Sequence, residues 1–84
     1  MNYCVITFRS VTPAQRGERA VRAAGIPCSI QRTPRWMEDR GCGYSLRVRC
    51  EKVSEAAEVL RQKGIRYQSV YHYRDKDHVE EMEL

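Results

Sequence analysis

The chain has 84 residues, of which 42% are hydrophobic and 31% are charged. This composition predicts one folded domain with a small core and excludes an intrinsically disordered chain, and the length leaves no room for a second domain. Because no apolar stretch approaches the roughly 20 residues of a membrane-spanning helix, we expect no membrane segment.

The formal net charge of +4 is unevenly distributed along the chain. Five acidic and two basic residues follow residue 73, so this end carries −3 and the remainder carries +7. A basic body suits an anionic partner such as nucleic acid, a phosphate-bearing ligand or an acidic protein surface, although it also serves solubility alone. We predict a single domain over residues 1–74 and an acidic C-terminal tail with little structure over residues 75–84.

The first half of the chain predicts a strand, a helix and a second strand. Residues 3–8 are rich in β-branched and aromatic side chains and are apolar on both faces, which is typical of a central strand. A helix begins at Thr12 and Pro13 and ends at Gly25. Residues 26–31 then alternate between apolar and polar side chains, as a second strand does.

The second half repeats this order. Residues 44–50 alternate with a period of two and predict the third strand. An apolar helical stripe follows, beginning at Glu51 or Ser54 and ending before Gly64, and residues 65–73 predict the fourth strand. Right-handed crossovers then give an α+β fold of the ferredoxin-like βαββαβ type, with a four-stranded antiparallel sheet and two helices on one face.

The helices leave one face of this predicted sheet uncovered. Arg47 and Arg49 occupy the polar phase of the third strand and are expected on that face. Tyr67, Tyr71 and Tyr73 share one phase of the fourth strand and are predicted to form a covering layer. A partner, a second copy of the chain or solvent could meet this surface.

The four cysteines fall into two groups. Cys4, Cys28 and Cys50 share a strand phase with apolar residues, so we predict that they are core residues, whereas Cys42 lies in a loop. They form no Cys-x-x-Cys pair and have no histidine at ligand spacing, so we expect no metal site and no cofactor. Since the chain begins without a recognisable signal peptide, we expect a cytoplasmic protein with reduced thiols.

The loop between the second and third strands holds the candidate functional residue, Cys42. Gly41 and Gly43 flank it, and glycines allow another molecule to approach the sulfur closely. Arg35 and Arg40 supply positive charge that favours the thiolate, while two neighbouring carboxylates oppose it. The alternative interpretation is an ordinary glycine-containing turn with an incidental cysteine.

These features together resemble a known family. A Thr-Pro-Arg turn at residues 33–35, the pair Cys42 and Gly43 before the third strand, and the strand-helix-strand repeat resemble small bacterial proteins of unknown function described as sulfur or selenium (Se/S) carrier-like. The likeness covers about residues 3–73, and its specific part is these two short motifs. The remainder is a common fold.

The resemblance implies a carrier or accessory protein rather than an independent enzyme. Cys42 would hold sulfur or selenium as a persulfide or selenide, received from and passed to a sulfur- or selenium-transferring protein partner. The resemblance implies Thr33, Pro34, Arg35 and Gly43 for the surrounding binding site. To these we add Arg40 and Gly41, because they precede Cys42 in the same loop and supply positive charge and backbone freedom.

Two other functions are compatible with the sequence. Residues 40–44 match part of the third-strand signature of RRM-type RNA-binding modules, but Cys42 and Arg47 replace two of its stacking aromatics, so we do not expect nucleic-acid binding. The other alternative is a ligand-sensing or adaptor domain without a catalytic role. Such a domain would act as a homodimer through the uncovered sheet face.

Overall fold

The computed structural model describes residues 3–33, 43–75 and 78–82. Within these residues the chain forms a five-stranded antiparallel sheet and two α-helices, which confirms the α+β class. The elements in chain order are β1 (Tyr3–Phe8), α1 (Val11–Ala23), β2 (Cys28–Arg32), β3 (Tyr44–Val48), α2 (Val53–Gln62), β4 (Ser69–Asp75) and β5 (His78–Met82). No helix among the described residues is long and apolar enough to cross a membrane.

The order of the strands in the sheet is β2-β3-β1-β4-β5, and every neighbouring pair is antiparallel. The predicted four-stranded sheet is therefore wrong in its strand number. The predicted acidic tail forms β5, which pairs with β4 from Val70 opposite Met82 to Asp75 opposite His78. Charged side chains are typical of a strand at a sheet edge, because they discourage pairing with another chain.

The core lies between the helices and one face of the sheet. In β2 and β3 the residues on that face alternate with polar neighbours, as the period-two pattern predicts, whereas β1 is buried on both faces from Cys4 to Phe8. The fully buried side chains of this core include Cys4, Ile6, Leu46, Ala14, Val21, Ala56 and Leu60. The two apolar helical stripes predicted from the sequence thus pack on the same face of the sheet.

The two helices end in the same way. Gly25 and Gly64 have positive φ angles of 83° and 70°, which a residue with a side chain rarely adopts. The isoleucine after each glycine donates its backbone N–H to a carbonyl five residues earlier, Ile26 to Val21 at 3.2 Å and Ile65 to Leu60 at 2.9 Å. This is the Schellman motif, and the isoleucine packs its side chain into the core.

We expect Gly17→Val to lower the free energy of unfolding by about 1–3 kcal/mol, because an added Cβ at Gly17 would lie 3.1 Å from both Leu60 Cδ2 and Phe8 Cζ. Urea denaturation measures this change. The control is Arg19→Val on the exposed side of the same helix, which we expect to change stability by about 0.5 kcal/mol or less. Equal losses in the two variants would contradict the close approach of α1, α2 and β1.

Candidate functional site

The structure describes the two ends of the predicted site loop. The backbone N–H of Thr33 donates to the carbonyl oxygen of Gly43 at 3.0 Å, which continues the ladder between β2 and β3 by one pair. Cys42 directly precedes Gly43 in the chain. This hydrogen bond therefore places Thr33, where the loop begins, beside Gly43, the residue that directly follows Cys42 in the chain.

The other predicted site residues lie outside the described part of the chain. Of the predicted site residues, the structure describes Thr33 and Gly43 only, and their backbones are hydrogen-bonded to each other. The predicted site residues outside the described ranges are Pro34, Arg35, Arg40, Gly41 and Cys42.

Two buried hydroxyl groups lie beside this loop base. Thr33 is 6% exposed and Ser45 is 0% exposed, and within the described residues neither side-chain oxygen has a hydrogen-bond partner. Continuing the pairing of Gln31 with Ser45 to Thr33 and Gly43 makes Thr33 and Ser45 diagonal neighbours, with Cα atoms about 7 Å apart, in the phase of the sheet face opposite the helices. Burying a hydroxyl without a partner costs about 1–3 kcal/mol, which makes these two groups candidate hydrogen-bond donors at the loop base.

A third hydroxyl on the same face is fully paired. Thr7 lies opposite Ser45 in the register of β1 and β3. Its Oγ1 accepts a hydrogen bond from the Ser69 N–H at 3.0 Å and donates one to the Ser69 carbonyl oxygen at 3.3 Å. Among the described residues, the hydroxyls without a hydrogen-bond partner on this sheet face thus lie at the loop base, at Thr33 and Ser45. The hydroxyl of Thr7, farther from the loop, is paired.

The rest of the face opposite the helices is occupied by side chains of the chain itself. Arg47 places its guanidinium 4.0 Å from the ring centre of Tyr3, and the Tyr3 and Tyr73 rings stack at 4.7 Å. Since β1 lies between β3 and β4, Tyr3 meets one of these groups on each side. Val5 beneath them is fully buried, so this part of the face does not offer a bare stacking surface for nucleic-acid bases.

Two residues predicted for this face lie elsewhere. β3 ends at Val48, and Arg49 lies beyond the strand, with its Nε 3.8 Å from a carboxylate oxygen of Glu51. Tyr67 precedes β4, and its hydroxyl accepts a hydrogen bond of 3.0 Å from Arg61 on α2. Both placements were wrong because the alternation of side chains was continued beyond the residue at which the strand ends or begins.

The described cysteines differ in burial. Cys4 and Cys28 are buried, which confirms their predicted place in the core, whereas Cys50 is half-buried in a short 3-10 turn before α2. Burial, together with the neighbouring Cys50 sulfur, raises the pKa of Cys4 to about 12. Burial also raises the pKa of Cys28, although the Arg22 guanidinium opposes this. Both core thiols therefore stay protonated at neutral pH and are poor nucleophiles.

Among the described residues, no group of three or more histidine, cysteine, aspartate or glutamate side chains could hold a metal ion.

The fold and the loop define a small α+β thiol domain. The family model described as "Putative Se/S carrier protein-like" matches residues 3–72, and the chain belongs to this family. The match confirms the resemblance that the Thr-Pro-Arg and Cys-Gly motifs indicated. Comparisons with curated proteins and with solved structures give no match.

We predict that Cys4 and Cys28 react with iodoacetamide at least about 100-fold more slowly than Cys42 in the native protein, because both are buried and held as thiols. Brief labelling followed by peptide mapping measures the four rates. The same labelling in 8 M urea, where all four thiols are accessible, is the control. Native labelling of Cys4 or Cys28 at the rate seen in urea would contradict the assignment.

Proposed function

We propose that the protein carries sulfur or selenium on Cys42, as a persulfide or selenide, and passes it to an acceptor protein. Membership of the Se/S carrier-like family supports this class of chemistry. The structural observation that carries the proposal is the pair of buried hydroxyls on Thr33 and Ser45, which have no hydrogen-bond partner among residues 3–33, 43–75 and 78–82 and lie beside Gly43, the residue bonded to Cys42.

The transfer consists of two exchanges at sulfur. In the first, the Cys42 thiolate attacks the terminal sulfur of a donor persulfide, so that the donor S–S bond breaks, a new S–S bond forms to Cys42, and the donor leaves as a thiolate. In the second, an acceptor nucleophile takes the terminal sulfur and Cys42 leaves as the thiolate. No net oxidation occurs, and the protein returns to its starting state.

The hydroxyls of Thr33 and Ser45 have a role in this scheme as hydrogen-bond donors. The terminal sulfur or selenium of the loaded group is anionic, and donors held in place before the reaction stabilise such a charge more than water-exposed groups do. Ser45 lies two residues from Gly43 along the same extended segment, on the face shared with Thr33. Arg35 and Arg40 would add positive charge from the same loop.

The partner and the location belong to the same proposal. A carrier of this kind works with reduced thiols, so we place it in the cytoplasm, and its donor would be a sulfur- or selenium-transferring protein. The excess positive charge before residue 74 suits an acidic donor surface. We regard the fold as a ferredoxin-like βαββαβ unit extended by β5. Formation of a homodimer through the sheet face opposite the helices remains a prediction.

We expect Cys42→Ser to abolish loading, because serine preserves the size of the side chain but lacks the thiolate. The purified protein is incubated with a persulfide donor, and mass spectrometry of its peptides records a gain of about 32 Da for each sulfur atom on the peptide that contains residue 42. Cys50→Ser is the matched control, since Cys50 is a half-buried thiol that is not the proposed carrier residue, and its Cys42 peptide should load as that of the wild type does. Equal loading of Cys42→Ser and the wild type would refute the proposal.

We expect Thr33→Val and Ser45→Ala each to slow loading about tenfold, the effect of losing one hydrogen bond of about 1.4 kcal/mol to a charged group. Neither variant should lose stability, because each removes a buried hydroxyl that has no partner within the described residues. Loading rates and urea denaturation are measured on the same samples.

Thr7→Val is the control for these two hydroxyls. It removes a hydroxyl that is paired with Ser69 on the same sheet face, so we expect it to cost about 1–2 kcal/mol of stability and to leave the loading rate unchanged. If all three variants lose stability and load equally fast, the hydroxyls at the loop base have no role in transfer.

A further inference from the structure

A second group of sulfur atoms lies at the other end of β3. The Sγ of Cys4 is 2.9 Å from the Sγ of Cys50 and 3.7 Å from the Sδ of Met82. An S–S bond measures about 2.05 Å, so the two thiols need to approach by only about 0.9 Å to become bonded. Three segments that are distant in sequence meet here: β1, the turn before α2, and β5.

The sheet register explains why the two thiols meet. Cys4 lies opposite Val48 in the pairing of β1 with β3. Cys50 is two residues beyond Val48, so it lies on the same side of the sheet, where the chain turns from β3 into α2. The pairing of β1 with β3 and the turn into α2 therefore hold the sulfur atoms of Cys4 and Cys50 in contact.

The two thiols are not equivalent. Cys4 is fully buried, whereas Cys50 is half-buried and can be reached by a small molecule. The Cys4 thiol donates its hydrogen bond to the Cys50 sulfur, and the pKa of Cys4 is raised to about 12 by burial and by Cys50. Cys4 is therefore the protonated partner, and Cys50 is the sulfur that meets a reactant first.

We propose that Cys50 and Cys4 form a redox-active dithiol that exchanges with low-molecular-weight disulfides and closes into an intrachain disulfide. This activity goes beyond the proposed carrier function and does not involve Cys42. Gly43 and Cys50 are seven residues apart in an extended segment, or about 23 Å at the strand rise of 3.3 Å per residue. The two sites thus lie at opposite ends of β3.

The reaction balances in two steps. The Cys50 thiolate attacks one sulfur of the small disulfide, whose S–S bond breaks, giving a mixed disulfide on Cys50 and one free small thiolate. The Cys4 sulfur then attacks the Cys50 sulfur and expels the second small thiolate, which takes the Cys4 proton. The two cysteines are oxidised by two electrons, and the small disulfide is reduced to two thiols.

The test uses the full chain and oxidised glutathione as the disulfide. After incubation, the remaining thiols are alkylated, and peptide mapping identifies every modified cysteine. We expect the wild type to form a disulfide between Cys4 and Cys50. We also expect Cys42→Ser to form it at the same rate, which separates this activity from the carrier function.

Two variants distinguish the roles of the thiols. Cys4→Ala should stop at a mixed disulfide on Cys50, with a gain of about 305 Da, because the second thiol is missing. Cys50→Ser should leave Cys4 unmodified, because Cys4 is buried. If Cys4→Ala does not fold, Cys4→Val is used in its place, because the valine side chain fills the same apolar site.

Three results would overturn the proposal. The first is a wild type that keeps glutathione on Cys50 without forming the intrachain bond. The second is a disulfide that joins Cys4 or Cys50 to another cysteine instead. The third is glutathione on Cys4 in the native Cys50→Ser variant, since this would show that Cys4 does not depend on Cys50 for access.

Discussion

The register of β3 between β1 and β2 is the constraint on which both thiol sites depend. It sets Ser45 opposite Thr7 and Gln31, and it continues to the bond between Thr33 and Gly43 at the loop base. A slip of one residue would turn Ser45 into the core and Leu46 out of it. Because Leu46 is fully buried among core residues, the hydrophobic core stabilises this register against a slip of one residue.

The same strand separates the two proposed sulfur sites. At its start lie the buried hydroxyls of Thr33 and Ser45, which would suit an anionic persulfide on Cys42 as hydrogen-bond donors. At its end, the helix-covered face brings the Cys4 and Cys50 sulfur atoms within 2.9 Å of each other, and this proximity favours closure of the proposed disulfide. A small domain can keep both activities apart because successive positions along a strand alternate between faces.

Much of the fold could be predicted from local patterns. The glycine and isoleucine pairs at both helix ends predicted the chain reversals, since a positive φ and a buried isoleucine are local properties. The strand phases correctly placed Cys4 and Cys28 in the core. β5 was missed because the segment is dominated by charge and has few apolar residues, and its stability comes from pairing with β4.

The candidate site could be predicted only in part. The motifs led to the family, but the burial of the Ser45 hydroxyl without a partner among the described residues was missed, because a polar residue in an alternating strand ordinarily faces solvent. The contact of Cys4 with Cys50 joins residues 46 positions apart, so no local pattern could indicate it. Arg49 and Tyr67 were misplaced because they lie just outside β3 and β4. Side-chain alternation does not show at which residue a strand begins or ends.

The proposed cargo of Cys42 in the cell is sulfur or selenium. Thiol-resolved mass spectrometry of the protein, purified rapidly from its own cells without reductant, detects such a cargo on the residue that holds it. Our account predicts an adduct of about 32 Da for sulfur or about 80 Da for selenium on the peptide containing Cys42, removed by reduction. An unmodified Cys42 in every preparation, with co-purified RNA or with the adduct on Cys50 instead, would contradict it.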